Sequence, residues 1–176
     1  LTKINPTLII SYRNYYPYFL EILNEGHHVH LFTGALDERI PNYLNLRDKY
    51  PNFHFHGKVD YETLLKLMNT FDYGITGFNL DNIKKESAIQ YLNYAMGNKL
   101  FDYIFSGIVP VVINAQSMAN FVKTNKSGYI KEPNNSWTET INSTTLNYGN
   151  FNKIIEEYCM ENQIMKLVKI YNSLWK

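Results

Sequence analysis

The sequence has a single cysteine, Cys159, so no disulfide can form within the chain. A single cysteine says little about the cellular compartment and only slightly favours a reducing cytosol. No run approaches the roughly 20 apolar residues that a spanning helix needs, and no signal peptide is visible. We expect a cytoplasmic protein with no transmembrane segment, for which peripheral association with the inner face of a membrane stays open.

An excess of charge of either sign is also missing. The 176 residues include 17 Lys and Arg and 16 Asp and Glu, which gives a net charge of +1. Such a balance provides no broad attraction for nucleic acid or for an anionic membrane. No nucleic-acid partner is therefore expected, and any recognition of phosphate must be local.

Two further absences narrow the function. No Gly-x-Gly-x-x-Gly follows the first predicted strand, which argues against a dinucleotide-dependent oxidoreductase. No internal repeat or low-complexity tract is present. The chain begins with Leu1 and not with Met, and we interpret it as a piece of a longer protein.

What the sequence does contain is a regular alternation of apolar runs and helix-like segments. Strands are predicted at 7–13, 27–33, 52–59, 71–78, 109–114 and 129–131. The intervening segments predict helices, and two or three more are expected after Trp137. This order predicts an α/β fold, a doubly wound Rossmann-like parallel sheet of about six strands with helices on both faces. Residues 1–135 would form the binding domain, and helices in 136–176 would pack on it.

The most informative segment is 94–113, which combines a glycine-containing turn, a helix, a stop at Gly107 and a buried strand. Asn98 is expected to cap this helix. One helix face, expected to dock on the sheet, contains Leu100, Phe101, Ile104 and Phe105. On the other face, Lys99 and Asp102 are three residues apart and therefore close together. The helix start also offers N–H groups and a positive dipole end, so this turn suits a ribose diphosphate.

Three stretches carry a resemblance to a known family. They are Lys99-Leu-Phe-Asp-Tyr followed by Ser-Gly-Ile-Val-Pro-Val-Val, Phe53-His-Phe-His-Gly-Lys-Val-Asp, and Phe71-Asp-Tyr-Gly-Ile. In order and spacing, residues 6–131 resemble the C-terminal, donor-binding domain of GT-B glycosyltransferases of the family 4 type. The resemblance implies half of a GT-B fold, acting in the transfer of a sugar from a nucleotide-diphospho-sugar, UDP- or GDP-linked, to a glycan or lipid acceptor, as in polysaccharide biosynthesis.

The resemblance also implies roles for particular residues. Asp102 would contact the ribose and Lys99 the phosphates, and the base would face Gly57, Lys58 and Val59. The rest of the predicted nucleotide-sugar site consists of Gly97, Asn98, Leu100 and Arg13. Lys99 and Arg13 are candidate stabilisers of the leaving diphosphate, and no other catalytic group is identified. The family needs no cofactor or metal. The missing N-terminal domain would hold the acceptor, so this piece alone is expected to bind the donor and to transfer little or no sugar.

Two departures keep other functions open. The family has two glutamates eight residues apart, whereas here Asp102 takes the second position and Tyr94 the first. The loop after the first strand reads Tyr12-Arg13-Asn14 without the usual Lys-Gly. One alternative is a catalytically degenerate GT-B half that serves as a binding or scaffold module. Another is a fragment of a sugar-nucleotide epimerase. A solvated Lys99–Asp102 ion pair with no function would contribute well under ~1 kcal/mol.

Two other patterns have competing interpretations. His28 and His30 alternate on the second predicted strand, and His54 and His56 on the third, so four imidazoles would share one sheet face if these strands are neighbours. Such a cluster suits zinc, but a partly exposed face is the simpler interpretation, and no metal is expected. The apolar stripe Ile164, Leu167, Val168, Tyr171 and Trp175 is a candidate surface for the missing domain.

Overall fold

Strands and helices alternate along most of the chain in the computed structural model, which describes residues 14–33, 42–81, 83–143 and 146–174. The strands are β1 (Val29–Phe32), β2 (Phe53–Gly57), β3 (Tyr73–Gly77), β4 (Val109–Ile113) and β5 (Tyr129–Ile130). Helix α1 (Tyr16–Asn24) precedes β1. The helices between the strands are α2 (Asn42–Lys49), α3 (Tyr61–Met68), α4 (Glu86–Tyr94), α5 (Asn98–Phe105) and α6 (Gln116–Asn125). Three helices follow β5, namely α7 (Trp137–Asn142), α8 (Gly149–Tyr158) and α9 (Met160–Leu174).

The strands form two parallel sheets. β1 pairs with β2 in one sheet, and β4 lies between β3 and β5 in the other. The prediction of an α/β fold with parallel strands joined by helices is confirmed. The prediction of one sheet of about six strands is not met among the described residues, because no backbone ladder joins β1 to β3. The first predicted strand, at 7–13, lies outside the described residues.

Strand β4 lies in the core, and all five of its residues are buried. An apolar parallel strand of this kind is typical of a sheet covered on both faces. Leu100 and Ile104 of α5 and Met118 and Val122 of α6 are fully buried against this region. Each side chain of this size contributes about 1.5–3 kcal/mol when it is removed from water, so α5 and α6 are firmly attached to the three-stranded sheet.

Helix α5 packs closely against β3 because the strand has a glycine, Gly74, at the point of contact. A Cβ atom at Gly74 would lie 2.5 Å from the ring of Tyr103. The Tyr103 hydroxyl donates to the Ile75 carbonyl at 3.2 Å. Two residues after Gly74, the Thr76 hydroxyl lies 3.7 Å from the sulfur of Met118 on α6. Alternate residues of a strand point to the same face, so α5 and α6 lie side by side on one face of β3.

The helices after β5 differ in how they are packed. Trp137 of α7 and Phe151 and Ile154 of α8 belong to the main core. The start of α7 is fixed by Ser136 and Glu139, which exchange hydrogen bonds in a capping box. In contrast, α9 contacts α8 and has no buried residue. Among the described residues, no helix combines the length and the apolar character required to cross a bilayer.

Replacement of Gly74 by alanine tests the contact between α5 and β3. We expect Gly74→Ala to lower the free energy of unfolding by about 1–3 kcal/mol, because the new methyl group overlaps the ring of Tyr103 and forces the helix outwards. Urea denaturation followed by circular dichroism measures the change. The matched control is Gly149→Ala at the exposed start of α8, where the nearest heavy atom to a Cβ is a side-chain oxygen at 3.1 Å. Equal stability of the two variants would contradict the close packing.

Candidate functional site

The helix start at 97–99 differs from the prediction in its cap. Gly97, and not Asn98, is the N-cap residue, with extended backbone angles (φ −81°, ψ 136°). Its carbonyl accepts from the Leu100 N–H at 3.1 Å, while Asn98 is already the first helical residue. No side chain of the cap residue can bind the first-turn amides, because glycine has none. The assignment of Asn98 as the cap is therefore wrong, and the helix start lacks a side-chain cap.

The buried face of α5 is narrower than the sequence predicted. Leu100 and Ile104 have no exposed surface, whereas Phe105 is 45% exposed. A helix turns by 100° at each residue, so Phe105 lies about 140° around the axis from Leu100. The prediction that Phe105 docks on the sheet is wrong for this reason. Phe101 is half-buried and contacts the rings of Phe121 and Tyr158.

Lys99 lies near the carboxyl end of β3. Its ammonium nitrogen is 6.0 Å from the centre of the Tyr15 ring, at the limit of a cation–π contact. The Tyr15 hydroxyl donates to the carbonyl of Gly77, the last residue of β3, at 2.6 Å. A Cβ atom at Gly97 would lie 3.9 Å from the hydroxyl oxygen of Thr76. The first turn of α5 is thus at the edge where parallel α/β sheets bind ligands.

Asp102 accepts a hydrogen bond from a tyrosine at the start of another helix. The Tyr61 hydroxyl donates to Oδ1 of Asp102 at 2.9 Å. This hydrogen bond, and then the negative charge of Asp102, raises the pKa of Tyr61. Tyr61 is the first residue of α3, whose N-cap is Asp60. The carboxylate of Asp60 accepts from the Thr63 N–H at 2.9 Å. The segment 57–61 and the carboxylate of α5 are therefore in direct contact.

The predicted residues before Tyr61 form an open turn. Gly57 has a φ of +72°, in the left-handed region that favours glycine, and its carbonyl accepts from the Thr33 N–H at 3.1 Å. Lys58 is exposed and Val59 is half-buried. Arg13 lies outside the described residues. Its neighbour Asn14 is described, and the carbonyl of Asn14 accepts from the side-chain amide of Asn79 at 2.8 Å.

Part of the predicted site is therefore assembled, and part is not available to a ligand. Gly97 and Lys99 lie at the start of α5, Asp102 follows about one turn later, and Asp102 meets the 57–61 segment through Tyr61. Leu100 has its side chain in the core and its N–H bonded to Gly97, so neither group faces the turn's surface. The sequence offered no signal for Tyr61, since an exposed tyrosine in a tyrosine-rich chain has no distinguishing pattern.

A cleft of about 220 Å³ lies at the same edge of the three-stranded sheet, next to α1. It is lined by Pro17, Tyr18, Glu21, Asp81, Ile113, Asn114, Lys131 and Pro133. Asn114 donates to the Tyr18 hydroxyl at 2.7 Å, and the buried Lys131 lies 3.4 Å from Glu21. Of the predicted site residues that the structure describes, none lines this cleft. The segments that follow β3 and β4 contribute Asp81 and Asn114 to it.

The four histidines share one face of the two-stranded sheet, as their alternation predicted. β1 and β2 are neighbours, and His30 is in register with His54. Val29 and Phe53 point to the other face and are buried. Burial, and then the positive charge of the neighbouring imidazoles, lowers the pKa of His30.

Comparisons of the chain with protein-family models, with curated proteins and with solved structures found no match. The site must therefore be interpreted from its own geometry.

Tyr103, which attaches α5 to β3, provides a test through pH. Burial, and then the charge of Asp102, raises the pKa of Tyr103 to about 12, whereas the unfolded phenol ionises near 10. The stability that this group contributes is complete below pH 10 and is lost as the pH rises towards 12. We expect Tyr103→Phe to reduce the loss of unfolding free energy in this range by up to about 1.4 kcal/mol per pH unit.

Urea denaturation at pH 9, 10 and 11 measures this dependence. Tyr91→Phe is the control, since Tyr91 is 73% exposed on α4. This control should leave the pH dependence of the unfolding free energy as in the wild type. Part of that dependence remains in every variant, because the pKa values of Tyr18 and Tyr43 are also raised to about 12. If the unfolding free energy of Tyr103→Phe falls with pH as steeply as that of the wild type, the packing of α5 does not hold this phenol in a buried, neutral form.

Proposed function

We propose that the chain is the donor-binding half of a GT-B type glycosyltransferase and that it binds a nucleoside diphosphate sugar at the start of α5. The observation that carries the proposal is the position of this helix start at the carboxyl end of β3. There it combines first-turn amides without a side-chain cap, the ammonium group of Lys99 and the carboxylate of Asp102.

Each group matches one part of the ligand. The amides and the positive end of the helix dipole favour the diphosphate, and Lys99 adds a full positive charge. Asp102 is half-buried, and Tyr61 occupies one of its oxygens. The other oxygen can accept from the ribose hydroxyls. The adjacent turn, with the left-handed Gly57 and with Lys58 and Val59, would lie beside the base.

We further propose that both sheets belong to one doubly wound, six-stranded sheet, with residues 7–13 as the strand between β1 and β3. The order would then be β2, β1, 7–13, β3, β4, β5, the arrangement of dinucleotide-binding sheets, with the ligand site where the order reverses. Tyr15, two residues after this run, supports the proposal. Its N–H donates to the Tyr43 hydroxyl of α2 at 2.9 Å, and its own hydroxyl donates to Gly77 of β3.

In the proposed reaction, this half stabilises the leaving group. Negative charge grows on the diphosphate as the bond to the sugar breaks. The amides of the helix start are held in place by the packing of α5, and Lys99 beside them would add a positive charge where that negative charge grows, which is the arrangement that lowers the energy of a transition state. Arg13, by its sequence position, would add a second cation. The acceptor and any general base belong to the other half of the enzyme.

The proposed partner of this chain is that other half, and α9 is the proposed contact. Its apolar residues remain in water: Ile164 is 48%, Leu167 51% and Tyr171 57% exposed. Contiguous apolar surface of this kind typically marks an interface. A helix that is attached to α8 and buries nothing of its own is suited to pack against a second domain.

One observation favours a second function, a non-catalytic scaffold module. Tyr94 stands where the resemblance implies the first glutamate, and it is 75% exposed at the end of α4. A phenol cannot supply the negative charge of a carboxylate at neutral pH. A degenerate half of this kind would keep the fold and the α9 surface but would not bind donors.

Calorimetric titration with UDP, GDP and ADP and with their sugars separates the two functions. We expect the chain to bind at least one of these ligands. Lys99→Ala and Asp102→Asn should each weaken binding by about tenfold or more, because a hydrogen bond to a charged group contributes about 1.5–3 kcal/mol.

Matched controls come from the opposite edge of the sheet. Lys123 is exposed in the last turn of α6, and Asp72 is exposed immediately before β3. Lys123→Ala and Asp72→Asn change the net charge equally and should leave the affinity within about twofold, since surface charges at this distance are screened by salt. Failure of every nucleotide to bind, with the chain folded, would favour the scaffold function. If the control variants lose as much nucleotide affinity as Lys99→Ala and Asp102→Asn, the assignment of Lys99 and Asp102 to the nucleotide site is wrong.

A further inference from the structure

We propose that His28, His30 and His54 form a binding site for one divalent transition-metal ion, with Zn²⁺ as the best fit. The site is independent of the nucleotide site, since it lies on the two-stranded sheet and uses none of the same residues. Each of the three side chains offers one ring nitrogen, and the three nitrogens lie within 4.8 Å of one another.

The distances suit coordination. Zn–N bonds of about 2.0–2.1 Å place two nitrogens on a tetrahedral ion roughly 3.3 Å apart. Nδ1 of His28 lies 2.9 Å from Nε2 of His54. The rings of His30 and His54 are stacked with their centres 4.5 Å apart. The ligand nitrogen of His30 lies within 4.8 Å of these two, so rotation of the side chains would have to bring the three nitrogens to about 3.3 Å from one another, and a water molecule can complete the tetrahedron.

The backbone fixes this arrangement in advance. His30 and His54 are paired directly across two parallel strands, and His28 immediately precedes β1 on the same face. His30 is further oriented by His56, whose Nε2 lies 2.8 Å from Nδ1 of His30. A hydrogen bond to the second ring nitrogen is the usual way in which proteins orient a histidine ligand. On its other side, His30 packs against the ring of Phe71, with 4.7 Å between the centres.

The ligand set selects the class of metal. Three imidazoles favour Zn²⁺, Cu²⁺ or Ni²⁺ over Mg²⁺ and Ca²⁺, which prefer oxygen ligands. Three histidines with an open fourth position can hold a water or an exogenous ligand. Because the ligands come from both strands, a bound ion also joins β1 to β2. It therefore stabilises the folded chain against the unfolded one.

Titration of the metal-free chain with ZnCl₂ tests the proposal, with three variants compared by calorimetry. We expect one Zn²⁺ per chain in the wild type. His54→Gln and His28→Gln should weaken binding more than roughly tenfold, since even loss of a supporting contact costs a metal site about this much. The control is His27→Gln. His27 is the fifth histidine, outside the cluster, and its Nε2 lies 2.9 Å from the Thr138 hydroxyl.

Two additional measurements separate coordination from folding. Co²⁺ in place of Zn²⁺ should give the intense visible absorption of a four-coordinate ion in the wild type and in His27→Gln, but not in His54→Gln. Zn²⁺ should raise Tm in the same two proteins. His28 precedes the strand and is exposed, so His28→Gln keeps the test valid if His54→Gln does not fold. Absence of a one-to-one complex, or equal affinity in His27→Gln and His28→Gln, would overturn the proposal and leave the imidazoles as a stacked surface.

Discussion

The close contact between α5 and β3 is the constraint on which the candidate nucleotide site depends. Gly74 leaves room for the ring of Tyr103, whose hydroxyl is bonded to Ile75, while Leu100 and Ile104 fill the core beside β4. These contacts hold the helix at a fixed height on the sheet. The first turn of α5 therefore lies beside the carboxyl end of β3, where a Cβ atom at Gly97 would be 3.9 Å from the Thr76 hydroxyl oxygen. The polar groups at 97–102 are placed by apolar packing one turn further along the same helix.

The sequence was sufficient where a local pattern and the tertiary packing agree. The run Val109–Ile113 is apolar at every position and is buried at every position, and Asp60 caps α3 because its carboxylate reaches the Thr63 amide without help from elsewhere. The sequence was insufficient where distant residues decide. Whether Gly97 or Asn98 is the N-cap of α5 depends on the backbone angles that the preceding turn adopts where it packs against the sheet. Tyr61 meets Asp102 across 41 positions, and no spacing rule connects them.

The histidines show a different limit of prediction. Their alternation correctly gave one shared face, because a strand repeats every two residues. It could not give the distance between the imidazoles, since that distance depends on which strands are neighbours and on their register. With His30 paired to His54, one ring nitrogen from each of His28, His30 and His54 lies within 4.8 Å of the other two. A shift of one residue in this register would have sent the histidines of one strand to the buried face, with no cluster and a disrupted core.

The near-zero net charge makes the two proposed sites easier to distinguish. In a strongly basic chain, anion binding at α5 would be hard to separate from a general attraction, whereas here an attraction for diphosphate must come from a few groups near one helix start. The two ligands also make opposite electrostatic demands. A diphosphate requires positive charge at α5, and a metal ion requires neutral imidazoles on the other sheet. The proposed metal ligands are His28, His30 and His54, and the proposed diphosphate ligands are Lys99 and the first-turn amides of α5. Each demand would therefore be met by its own set of groups, so either site can be removed by substitution while the other keeps its ligands.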